Sequence, residues 1–130
     1  MNMINGRVTI RLAGLRDRSD LIITCGMGWD EIVKTLMRRF DEIAPTHGVI
    51  TVNSSAITGI IDIWIGGDVP ANAETLGEAV VAICEAEARS KRTCELCGRR
   101  GIVRQVQIPN SMVMATRCGD CEFLENFDVQ

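Results

Sequence analysis

Two pairs of cysteines carry the chemistry that is easiest to name. Cys94-Glu95-Leu96-Cys97 and Cys118-Gly119-Asp120-Cys121 each hold two thiols with two residues between them, and twenty residues separate the pairs. Two intervening residues let a tight turn aim both sulfurs at one point, so each pair supplies half of a tetrahedron. A zinc ion takes four thiolates at about 2.3 Å, and this spacing is the four-cysteine zinc pattern. Iron uses the same ligand set and is not distinguished by spacing. The expected cofactor is one structural Zn2+ on Cys94, Cys97, Cys118 and Cys121. Four thiolates close the coordination shell, whereas a catalytic zinc keeps a position open for water. The single histidine, His47, is followed by Gly48-Val49, so the chain lacks the His-x-Glu element of a zinc deaminase. No catalytic residue and no enzyme activity are expected.

Two further thiols complete the six cysteines. Cys84, beside Ile83, is expected to be an inert core thiol. Cys25 is more open, because Cys25-Gly26-Met27-Gly28 leads into a helix N-terminus, which lowers a thiol pKa. Paired with His47 it would be a nucleophile; the plainer reading of His47 is a turn residue after Pro45. Asp62, on an apolar strand, reads as that strand's solvent face.

The twenty residues between the cysteine pairs suit a return path. Ile102, Arg104, Val106 and Ile108 alternate with Val103, Gln105 and Gln107, Pro109-Asn110 is a turn signal, and Met112 to Thr116 reads as a returning strand. Gly98, directly after Cys97, permits a positive φ that lets backbone N–H groups approach the sulfurs. The expectation is a zinc ribbon, two knuckles on the ends of a β-hairpin. About thirty residues bury too little core to fold alone, so metal affinity becomes folding free energy.

Upstream, apolar residues recur at helical spacing from Gly28 to Ala44, through Trp29, Ile32, Val33, Leu36, Met37, Phe40 and Ile43. Asp30 and Glu31 suit its positive end, Pro45 stops it, and Lys34, Arg38 and Arg39 fall on a solvated face. Val8 to Leu12 and Leu21 to Cys25 are candidate strands. His47 to Gly67 reads as a hairpin, with Val49–Val52 and Ile61–Ile65 as its strands and Asn53-Ser54-Ser55 and Gly59 in its turn. A second helix is predicted over Thr75 to Ser90, with Thr75 and Glu78 as a capping box and Leu76, Ala79, Val80, Ile83 and either Ala86 or Glu87 facing inward. The predicted fold is α+β: a helix–hairpin–helix body over residues 1–88, and an appended four-cysteine zinc-ribbon hairpin with an acidic tail over residues 89–130.

The whole chain, 130 residues with 46% hydrophobic side chains and a formal charge of −3, excludes wholesale disorder and a generally basic nucleic-acid binder. Aromatic residues are 4%, too few for a single-strand stacking platform. By segment the charge is −5 over residues 1–88, +6 over 89–117 and −4 over 118–130. Arg92, Arg99, Arg100, Arg104 and Arg117 are therefore candidate contacts to nucleic acid or an acidic partner. The alternative is that these arginines offset the charge of the tetrathiolate.

The stretches Cys25-Gly26-Met27-Gly28-Trp29-Asp30 and Glu85 to Ser90 through Thr93-Cys94-Glu95-Leu96-Cys97-Gly98 resemble a family of small uncharacterised phage and prophage proteins with a C-terminal four-cysteine zinc ribbon. The resemblance spans about residues 25–121. The chain departs from it at Val52 to Ile63, where the family carries a Lys-Glu-Lys-Phe-Gly-like run before its second strand and Asn53 to Gly59 stands here instead. The resemblance implies a mobile-element origin in a bacterial cytosol and supplies no activity. The N-terminal residues lack a secretory h-region, and no run reaches membrane length. The expected partner is a host protein bound by an interaction module, with a nucleic-acid-binding regulator as the alternative. Neither a membrane nor a small-molecule substrate is implied.

Overall fold

The structure, a computed structural model, describes residues 3–4, 7–8, 18–44, 47–66 and 72–121. It is a mixed α+β chain. Strands β1 (Met3–Ile4) and β2 (Arg7–Val8) form a small antiparallel pair. Most of the predicted strand from Val8 to Leu12 lies outside the described residues. Strand β3 (Leu21–Ile23), helix α1 (Asp30–Ile43), strands β4 (Ile50–Ser54) and β5 (Ile61–Ile65) and helix α2 (Ala73–Ser90) follow. The cysteine pairs flank β6 (Ile102–Ile108) and β7 (Ser111–Arg117).

The order helix, hairpin, helix omits a strand. β4 and β5 pair antiparallel, and β3 adds to β4 in parallel, giving the order β3-β4-β5. A parallel pair needs a crossover, which α1 provides. Register explains the pattern of the side chains. Leu21, Ile50 and Ile65 form one row across the sheet, and Ile23, Val52 and Ile63 the next. These rows face the core, where the stripe Ile32, Val33, Leu36, Met37 and Phe40 of α1 is buried together with Trp29. One residue out of phase, Ile22, Thr51 and Trp64 form a row on the opposite face.

Helix α2 turns a different face inward from the one its large side chains suggest. Ala79, Ala82, Ala86 and Ser90 are buried, whereas Leu76 and Val80 are exposed. Small side chains let α2 lie close to both α1 and β5; the branched ones have no room there. Cys84 falls on the exposed side and is not a core thiol. The predicted capping box is also replaced: Asn72 Oδ1 accepts the Thr75 N–H at 2.7 Å, so the helix begins earlier. At its far end the Ser90 hydroxyl donates to Glu87 O and accepts the Ile61 N–H, tying α2 to the start of β5.

At the other end of α1, Arg18 forks between two carboxylates. It donates to Asp20 through Nε and Nη2, at 2.8 Å each, and to Asp41 through Nη1 and Nη2, at 2.9 and 2.8 Å. The His47 ring stands edge-on to Phe40 with Nε2 3.4 Å from Asp41. Hydrogen bonds from Arg18 hold both carboxyls below their ordinary range. A depressed carboxyl stabilises the fold above its unfolded pKa and ceases to do so as it is protonated. Arg18→Ala is therefore expected to cost about 1 kcal/mol at pH 7, a value discounted for solvent screening. The gap to the parent protein should close as pH falls from about 4 towards 2. Urea unfolding at both ends of that range checks this; a gap independent of pH contradicts it.

Candidate metal centre

Each cysteine pair sits where a strand meets a tight turn. In the first, Cys94 N–H donates to Arg99 O at 2.6 Å and Gly98 N–H donates to Cys94 O at 3.0 Å. The chain reverses at Gly98, whose φ of +82° side chains rarely adopt. In the second, a 3-10 turn over Gly119–Cys121 brings Cys121 back over Cys118. Strands β6 and β7 join them, in register from Ile102 opposite Arg117 to Ile108 opposite Ser111. Between them Pro109 fixes a negative φ and Asn110 takes the left-handed one, at 69°.

The four sulfurs, of Cys94, Cys97, Cys118 and Cys121, lie within 4.8 Å of one another, as the spacing predicts. Cys97 Sγ is 3.5 Å from Cys118 Sγ. A disulfide would bring them to about 2.05 Å, whereas a tetrahedron with 2.3 Å bonds has edges of about 3.8 Å. The separation therefore fits ligands around one ion. Backbone amides of Asp120 and Cys121 reach the Cys118 sulfur, and that of Arg99 reaches Cys97. Burial works against ionisation of Cys118, but hydrogen bonds from Cys97, Cys121 and those amides outweigh it and bring this thiol down to about 7. Burial pushes Cys97 and Cys121 up, and both keep their protons towards neighbouring sulfurs. The sulfurs thus compete for negative charge, and a divalent cation removes the competition.

The first knuckle is set into the rest of the chain. Glu95, which follows the first cysteine, is 1% exposed. Its Oε2 accepts the Gly26 N–H at 3.0 Å and its Oε1 accepts the Ser54 hydroxyl at 3.0 Å. Its main chain accepts the Gly28 N–H at 2.6 Å and donates to Thr116 O at 2.9 Å. The Trp29 indole donates to Thr93 O at 2.8 Å. A Cβ on Gly28 would stand 2.0 Å from Cys94 O, so only glycine fits there. The β4–β5 turn completes the seam: Ala56 O accepts from Met114 N–H, and Gly59 O accepts from the Thr116 hydroxyl, each at 2.8 Å. The signal available in sequence was the Gly26-x-Gly28 spacing and a lone acid between two ligands.

The candidate basic contacts divide. Arg92, Arg99 and Arg100 are exposed, though Arg99 pairs with Asp120 at 2.9 Å. Arg104 is half-buried. Arg117 is a correction: it is 1% exposed, and its guanidinium donates to Cys121 O at 3.0 Å, holding the second knuckle from beneath. Cys25 is buried in the core, and His47 lies at the far end of α1, a helix of 14 residues, or about 21 Å. They form no nucleophilic pair. Asp62 accepts from the Trp64 indole at 2.9 Å. Asp20, Asp41 and His47 also gather within 4.8 Å, but Arg18 already engages both carboxylates.

Compared with known proteins, the chain matches no family, no curated protein and no solved structure. Among the described residues no helix is long and apolar enough to cross a membrane.

Removing the buried Glu95 carboxylate strands the half-buried Gly26 N–H and Ser54 hydroxyl. Glu95→Ala is expected to cost about 2–4 kcal/mol, with Glu95→Gln recovering part of it. Denaturant unfolding measures both, and a cost under about 0.5 kcal/mol for Glu95→Ala contradicts the role given to this side chain.

Proposed function

We propose that the cysteine cluster is a structural zinc ribbon and that the chain is a phage-type protein-interaction module acting on a host factor, such as a defence or transcription component. The observation that carries the interaction reading is the outer face of the β3-β4-β5 sheet. Ile22, Thr51 and Trp64 stand in one row there, with Val49 beside them, and Trp64 is 64% exposed. A large exposed aromatic on an open sheet face that also carries Ile22 and Val49, with Asp62 accepting from its indole, has the mixed apolar and polar composition of a binding hot spot. The zinc supports this face indirectly, by ordering the knuckle against the β4–β5 turn. The resemblance to phage proteins supports the host setting, a bacterial cytosol.

The alternative is a nucleic-acid regulator that uses the ribbon's charge. Exposed Lys91, Arg92 and Arg100 favour it; burial of Arg117 and pairing of Arg99 with Asp120 reduce the charge it would use.

Two measurements separate the readings. Capture from bacterial lysate should retain a discrete protein that is lost with Trp64→Glu, while circular dichroism and metal content of the variant stay unchanged. Binding to random duplex DNA should be weaker than about 1 μM at physiological salt. A tighter constant that falls steeply with salt, and that Arg92→Ala with Arg100→Ala weakens, would replace the interaction reading by the regulator.

A further inference from the structure

Helix α2 is apolar on the side turned away from the core. Its buried line is Ala79, Ala82, Ala86 and Ser90. On the opposite side Ala73, Leu76, Gly77, Val80, Val81 and Cys84 are all exposed, Leu76 and the two valines by about half. These six recur at steps of three and four, so they form one stripe along the helix, and no charged residue falls within it. A helix packed on one side only carries polar residues on the other; this one does not.

Gly77 sits in the middle of the stripe. Glycine weakens a helix interior relative to alanine, and the fold does not call for one here. Among the described residues nothing lies within 4 Å of a Cβ built at that position. A missing Cβ serves where a second backbone comes close, and no backbone of the described chain does.

Charge identifies the neighbour. Glu74 and Glu78 stand at the start of α2 and Lys91 and Arg92 at its end; all four are exposed and make no ion pair among the described residues. A second copy of α2 laid antiparallel on the stripe brings the acids of each chain to the bases of the other and sets the helix dipoles against one another favourably. A parallel copy would put like charges together. We propose that the chain dimerises through α2, two copies packing antiparallel along this stripe with Gly77 at the close approach. The helix has 18 residues, and a face about 27 Å long and 10 Å wide falls short of the roughly 800 Å² per partner of a standard interface, so a dissociation constant of micromolar order is expected. Because α2 packs on the core side of the β3-β4-β5 sheet, opposite Trp64, the dimer presents two copies of the outer sheet face.

Sedimentation equilibrium of the full-length protein, purified without chelator, tests this between about 1 and 300 μM, where a monomer–dimer equilibrium is expected. Gly77→Arg has open space in the single chain, so its circular dichroism should match the parent while its dissociation constant rises at least about tenfold. Glu74→Lys with Glu78→Lys should weaken the dimer about fivefold, and adding Lys91→Glu with Arg92→Glu should restore it. A chain that stays monomeric throughout overturns the proposal. So does a dimer that is indifferent to Gly77→Arg, or one that the reversed charges fail to restore.

Discussion

Four sulfurs drawn to one point are the constraint that the C-terminal third of the chain answers to. The length of β6 and β7, the positive φ of Gly98 and the 3-10 turn at Gly119–Cys121 all serve to bring two distant cysteine pairs within 4.8 Å. A segment of this size buries little apolar surface, so the ion we propose would replace a hydrophobic core as its source of stability. Arg117, buried beside the second knuckle, brings one positive charge next to the four sulfurs and donates to Cys121 O.

The knuckle is also a fastening. Glu95 lies between two ligands, and both its carboxylate oxygens are used by the body, one by Gly26 and one by Ser54. Its geometry is therefore tied to the metal site on one side and to the start of α1 on the other. Loss of the ion would release the Cys94–Cys97 turn and with it the anchor of the β4–β5 turn through Ala56 and Gly59. This links the four-cysteine cluster to the sheet whose outer face carries Trp64.

How much of this was legible in the sequence depended on whether the signal was local. The cysteine spacing, the return hairpin with its Pro109-Asn110 turn and the stripe of α1 are local patterns, and the structure holds each within a residue or two. The parallel strand Leu21–Ile23 was found as a strand but not as part of the sheet, because parallel pairing leaves no hairpin turn to read. Helix α2 misled through its large side chains: Leu76 and Val80 look like core until the close approach of two helices makes alanine the better inward residue. Arg117 and Glu95 looked like surface charge because their burial is decided by partners far along the chain. The β4–β5 turn is where the β6–β7 hairpin packs, through Ala56 and Gly59, and no composition argument could show that.

The central claim is that the four cysteines hold one divalent ion whose presence orders both the ribbon and its seam with the body. Native mass spectrometry of the full-length protein, purified without chelator, with hydrogen exchange before and after removal of the metal, tests it most directly. The account predicts one zinc per chain, and on removal a loss of protection at β6, β7, Gly26 and Gly28 while α1 and β4 stay protected. A chain that carries no metal, or whose Gly26 and Gly28 amides are equally protected with and without it, would contradict the account.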